Sequence, residues 1–208
     1  MIPFRVIAIA HSIERITRIN SIAQFVADVP LGVMLRDPGH DRARQKNLVD
    51  FALELEWIGS TTLISNGFEH ERIGWTHHTS AELARRVDSV GRASVVEIRP
   101  NSNRSSGLGF STHSRSEVVA AVELNADYVT FGPIFRTGSK PGAIGTGVEM
   151  LAHIAECSPM SVFALGGIAS SNIRDCLEAG AAGIASISLF APENHHDLLR
   201  AVRLLDSP

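Results

Sequence analysis

At 208 residues, 44% hydrophobic and 20% charged, the chain has the size and composition of a soluble globular protein with a substantial core, which excludes a disordered or fibrous chain. A net charge of −3, a pI near 6.3 and arginines scattered among acids give no electrostatic footprint for nucleic acid. Cys157 and Cys176 form neither a disulfide framework nor a metal-ligand spacing, so they read as reduced thiols of a cytoplasmic protein, and the apolar opening stretch is too short to span a membrane.

In chain order, residues 4–10 form a short apolar run rich in β-branched side chains, the pattern of a strand covered on both faces. Ser12 then caps a helix whose isoleucines recur at helical spacing until Pro30 stops it. The same alternation continues with a strand over 31–35, a helix over 41–55 and a strand over 61–64. Residues 68–72 read as a brief helix or turn and 74–77 as a short fourth strand, after which Thr79 or Ser80 caps a helix to about Val87. Residues 91–109 carry loop composition without periodicity, and 99–107 within them read as an insertion or a lid. Strands over 108–112, 127–131, 161–165 and 183–187 follow, each succeeded by a helix: 114–124, 147–156, 170–178 and 194–205. Eight β-α units with no dividing linker predict one domain over residues 1–208, a parallel sheet closed into a (β/α)₈ barrel.

In such a barrel, function collects at the carboxyl ends of the strands. That rule selects Arg36, Asn66, His77, Ser111 and His113, the loop from Pro133 to Lys140 with Thr137 and Ser139, the pair Gly166-Gly167, and Ser188 after Ile187. Only Lys46 and Lys140 are lysines, so the ammonium ending the sixth loop stands out against this chain's preference for arginine. Gly166-Gly167 and the Ile187-Ser188 backbone suit one phosphate shared by the last two loops, although Gly-Gly also serves as a tight turn. His113 is the best-placed acid/base, histidine's ordinary pKa lying near working pH, while an isolated histidine is also commonly a packed or surface residue. Asn66 either hydrogen-bonds substrate or belongs to an Asn-Gly turn; Arg36 either meets an anion or pairs with Asp37 or Asp41. The adjacent pairs His77-His78 and His195-His196 point in different directions and do not make a metal site.

Gly109 to Ser114, Gly132 to Lys140, Leu165 to Ile168 and Ala179 to Ser188 together resemble, in order and spacing, the thiamine phosphate synthase and TenI family. The resemblance implies a barrel that binds the thiazole phosphate of the thiamine pathway, with the phosphate on Gly166, Gly167, Ile187 and Ser188, and it admits a homodimer. Synthases of the family carry a Gln-x-Arg-x-Lys motif after the second strand and aspartates for Mg²⁺ after the third and fourth; here only Arg36 of the first survives, Asn66-Gly67 follows the third strand, and the segment from Trp75 to Ser80 holds no carboxylate. Asn-Gly at that place is similar to the TenI branch, which implies a thiazole tautomerase needing no cofactor, with His113 and Lys140 catalytic and Asn66, Ser111, Thr137 and Ser139 around the substrate. A divergent Mg²⁺-using synthase and a non-catalytic binder of thiamine-pathway phosphates are the alternatives. Trp75 stands where the family usually has glycine, and 91–109 is longer than usual.

Overall fold

The computed structural model describes residues 2–26, 29–57, 59–90, 106–138, 142 and 144–206. Eight parallel strands close a barrel in sequence order: β1 (Val6–Ala10), β2 (Leu31–Leu35), β3 (Thr61–Asn66), β4 (Trp75–His78), β5 (Gly107–Thr112), β6 (Tyr128–Phe131), β7 (Ser161–Leu165) and β8 (Gly183–Ser186). The outer layer comprises α1 (Ile13–Ala23), α2 (Arg42–Leu53), α3 (Ser80–Val90), α4 (Arg115–Glu123), α5 (Val148–Cys157), α6 (Ile173–Glu178) and α7 (His195–Asp206). The (β/α)₈ architecture expected from the eight-fold alternation is therefore the one observed.

Local chemistry sets the helix starts. The Ser12 hydroxyl accepts the Arg15 N–H, Asp41 accepts those of Ala43 and Arg44, and Ser114 with Glu117 forms a reciprocal capping box. Thr79, not Ser80, caps α3, its hydroxyl accepting the Glu82 N–H. Residues 68–72 form bends and turns around a short bridge between His70 and Ile73 rather than a helix. Of the expected lid, residues 99–105 lie outside the described residues, and Gly107 is the first residue of β5.

Each fully buried strand splits its side chains by the period of two. On β1, Ile7 and Ile9 enter the barrel while Val6, Ala8 and Ala10 pack under the helices; on β6, Tyr128 enters while Val129 and Phe131 face outward. The barrel floor is aromatic: the Phe4 ring meets Trp75 edge-on at 5.1 Å and Tyr128 at 5.4 Å, and Tyr128 meets Phe163 at 5.7 Å. Rings of this size fit because each large aromatic that a strand points into the barrel has a glycine as a register partner: Trp75 with Gly107, Tyr128 with Gly109 and Phe163 with Gly183. A Cβ on Gly107 would lie 2.5 Å from the Trp75 ring, and one on Gly109 would lie 2.2 Å from that of Tyr128. Trp75, the departure from family pattern, is thus floor packing and does not reach the mouth of the barrel.

Candidate active site

The carboxyl ends of the strands surround a cavity of about 650 Å³. It gathers Arg36, Asn66, Ser111, His113, Thr137, Gly166, Gly167, Ile187 and Ser188, all of them selected from the sequence. Ser139 and Lys140 lie outside the described residues. The cavity also takes in His77 and, from the sixth loop, Arg136, both selected from the sequence without a role, together with Thr130, which was not selected. Its described lining contains two guanidinium groups and no carboxylate, a balance suited to an anion.

His113 stands at the end of β5, ahead of α4. The capping box holds its backbone, because the Glu117 carboxylate accepts the His113 N–H as well as that of Ser114, at 3.2 Å for the latter. Its ring Nδ1 contacts the Gly132 carbonyl oxygen, an acceptor only, so Nδ1 carries the hydrogen in the neutral ring. Nε2 then keeps its lone pair for a proton from a ligand, and the sixth loop fixes the ring's orientation.

Two and three strands further round the barrel, after β7 and β8, are the donor loops. Gly166 and Gly167 take φ values of +95° and +67°, a region open to glycine and strained for other residues. They also pack against the sixth loop: a Cβ on Gly167 would lie 2.5 Å from the Arg136 carbonyl oxygen, and the Phe135 N–H donates to the Gly166 carbonyl at 3.1 Å. The Gly-Gly pair is therefore both the turn and a wall of the cavity. Beyond β8, α1 grips the loop from outside, Arg15 donating to the Ile187 carbonyl at 2.6 Å and Arg18 to those of Phe190 and Ala191 at 3.1 and 3.2 Å. The N–H groups of Gly167, Ile187 and Ser188 donate to no acceptor among the described residues, which leaves them for an anion.

Arg36 forms no ion pair among the described residues. The partners considered for it are engaged elsewhere: Asp37 accepts the Asp41 N–H at 2.8 Å, and Asp41 caps α2. Asn66 is almost buried and its amide reaches the Met34 sulfur at 3.7 Å. Among the described residues no group of three His, Cys, Asp or Glu side chains is placed to hold a metal ion.

The period of two separates His77 from His78. His77 points into the barrel, 1% exposed, with Nδ1 3.1 Å from the Tyr128 hydroxyl and Nε2 2.9 Å from the Ser111 hydroxyl. Burial, reinforced by the charges of His78 and Arg36, pushes its pKa down to about 3. His78 faces outward under α3, where Arg86 donates to its Nε2 at 2.9 Å; burial and the Arg86 charge push it down to about 4. Both histidines are neutral when folded and titrate near 6.5 when exposed, so the stability they contribute is complete above that pH and declines as pH falls towards 4 and 3. Between pH 6 and 4, each should remove on the order of 1 kcal/mol of stability per pH unit. Urea unfolding at pH 7, 6, 5 and 4 measures the slope, which His78→Gln should reduce by about one proton's worth.

No described helix is long and apolar enough to cross a membrane. Comparison with known proteins places this geometry among relatives. Residues 89–190 match the family model described as thiamine monophosphate synthase. A putative thiamine-phosphate synthase of Geobacter sulfurreducens is 42% identical over 104 residues, 49% of this chain and 48% of that protein. Putative thiamine-phosphate synthase 2 of Aquifex aeolicus is 42% identical over 83 residues, 40% of this chain and 45% of that one. The chain thus spans about half the length of these curated relatives. Among solved structures, thiamine phosphate pyrophosphorylase from Pyrococcus furiosus superposes with a TM-score of 0.55 at 20% identity, covering 98% of this chain and 94% of its own, a likeness of fold. Through the half that holds β5 to β8, with His113 and the donor loops, this chain is similar to the thiamine monophosphate synthase family and to the curated thiamine-phosphate synthases.

Proposed function

We propose that the cavity binds a thiazole phosphate of thiamine synthesis and shifts a proton on its ring, acting as a thiazole phosphate tautomerase that needs no metal. The observation that carries this reading is His113, held by the Gly132 carbonyl with Nε2 free, in a cavity whose described lining has guanidinium groups and unpaired N–H donors but no carboxylate. The phosphate rests on the backbone of Gly167, Ile187 and Ser188, with Gly166 shaping the turn and Arg36 or Arg136 adding charge. Thus anchored, the ring meets the histidine at high effective concentration. Nε2 takes a proton from one ring position, the imidazolium returns it at another, and no oxidant or co-reactant enters. Asn66, Ser111 and Thr137 line the same space and orient the ring, and Ser139 with Lys140 would complete the sixth loop.

The relatives' names favour a second reading, condensation of a pyrimidine pyrophosphate with thiazole phosphate. Mg²⁺ in such a reaction prefers oxygen ligands, carboxylates above all. At the ends of β3 and β4 this chain offers the Asn66 amide and the buried neutral ring of His77, which do not fit that ion. Purified protein should accelerate aromatisation of the thiazole tautomer in the presence of a chelator and form no thiamine phosphate when Mg²⁺ and both synthase substrates are supplied. Thiamine phosphate formation would overturn the reading in favour of the synthase, and a ligand-induced thermal shift without turnover of either substrate would make the protein a binder.

A further inference from the structure

The loops after β7 and β8 present their peptide groups to the cavity in one pattern. Gly167, Ile168 and Ser188 line it, and their N–H groups meet no acceptor among the described residues. Each of these N–H groups belongs to a trans peptide whose carbonyl points the opposite way, and each carbonyl is held by a different donor. The Gly166 carbonyl accepts the Phe135 N–H at 3.1 Å, the Gly167 carbonyl the Asn172 side-chain amide at 2.9 Å, and the Ile187 carbonyl the Arg15 guanidinium at 2.6 Å. A bond accepted by the carbonyl polarises the peptide and strengthens the N–H across it as a donor. The first two donors are neutral amides. The third is charged, and charge-assisted bonds are about twice as strong as neutral ones. Arg15 is half-buried, lies outside the cavity lining and forms no ion pair among the described residues. Its place in the first turn of α1 does not serve the helix either, since a cation there opposes the helix dipole. Arg18, one turn later, provides the contrast. It donates to the Phe190 and Ala191 carbonyls, but the N–H across the first, that of Ala191, is already given to the Ser188 carbonyl at 2.9 Å. The second carbonyl precedes Pro192, which has no N–H. Arg18 therefore holds the same loop without addressing the cavity.

We propose that Arg15 is a positioning residue for the bound phosphate: its guanidinium, hydrogen-bonded to the Ile187 carbonyl from behind, fixes and polarises the Ile187–Ser188 peptide so that the Ser188 N–H donates to a phosphate oxygen. Arg15 itself touches no ligand atom. The inference rests on the phosphate placement within the thiazole phosphate reading and adds the residue that sets the strength of that contact. It also makes α1 part of the site, although α1 lies outside residues 89–190, which carry the family match.

The test is calorimetric titration of the full chain and its variants with thiazole phosphate, with the corresponding thiazole alcohol and with inorganic phosphate. Arg15→Met should weaken binding of both phosphate compounds by about tenfold or more, the scale of one charge-assisted hydrogen bond, and leave the alcohol unchanged. Arg15→Lys, which keeps the charge and a donor, should recover most of the loss, and Arg15→Gln, a neutral donor, a smaller part. Arg18→Met, on the same helix and loop, should change phosphate affinity by less than about threefold. In turnover, Arg15→Met should raise KM with kcat unchanged, a split that a general structural defect would not produce. Thermal unfolding identifies a variant that fails to fold; Arg15→Gln against Arg15→Lys then decides, the neutral side chain binding phosphate more weakly. Equal losses for thiazole phosphate and the alcohol, or equal effects of Arg15→Met and Arg18→Met, would overturn the proposal. If inorganic phosphate binds in an Arg15-dependent way and thiazole phosphate does not, the thiazole phosphate reading fails while the positioning role stands. If the parent binds neither phosphate compound, both fail.

Discussion

Replacing His113 with alanine is expected to lower kcat for thiazole aromatisation by about 10²- to 10⁴-fold, the range found when a positioned general acid/base is removed. KM for the thiazole phosphate should change little, because the phosphate donors belong to the loops after β7 and β8, two and three strands away from His113 on β5. That split identifies an interaction made in proton transfer rather than in ground-state binding. Glutamine is a sharper probe than alanine, since its amide can still donate to the Gly132 carbonyl and fill the same space but cannot accept a proton at neutral pH. Steady-state kinetics on both variants, with and without a chelator, makes the measurement. If His113→Gln retains the parent kcat, His113 is a structural residue and the proton passes through another group.

The sequence made the barrel legible because β1 to β8 are apolar runs punctuated by capping residues, and eight such units in alternation leave few architectures open. The mouth was legible where a strand end meets a residue of distinctive chemistry, as at His113 and Gly166-Gly167. Thr130 was not, because it sits inside the run from Tyr128 to Phe131 and is polar only by its hydroxyl; its shared face with Tyr128, two residues earlier, was the available signal. His77 is selected at its strand end without a role, because an adjacent His-His pair does not make a metal site, and the period of two divides the pair into one inward and one outward ring with unrelated partners. Trp75 looked out of place because its accommodation depends on Gly107, more than thirty residues later and brought alongside only by the register of β4 and β5. Local pattern encodes which face a residue occupies; the partner across the ladder is decided by folding.

Gly132→Ala is expected to be the most disruptive single substitution at the site, destabilising the protein by about 4 kcal/mol or more, a size seen when a core position has no room for the added atom. Its Cβ would lie 1.9 Å from the Leu165 carbonyl oxygen and 2.8 Å from the Leu165 carbonyl carbon. Both are backbone atoms, and they are not free to retreat, because that oxygen accepts the Ile134 N–H at 2.9 Å and so ties the sixth loop to β7. Relief requires the tops of β6 and β7 to separate, which would draw the Gly132 carbonyl away from the His113 ring and the Phe135 N–H away from Gly166. The substitution therefore acts on stability, on the orientation of the base and on the phosphate turn through one collision. Thermal unfolding should show Tm lower by roughly 10 °C or more for a chain of this length. Gly138→Ala on the same loop, where no atom of the described residues lies within 4 Å of the new Cβ, should leave Tm within about 1 °C of the parent. Equal melting of Gly132→Ala and the parent would show that β6 and β7 can part at little cost, and that the contact between the Gly132 carbonyl and His113 is not what holds the base in place.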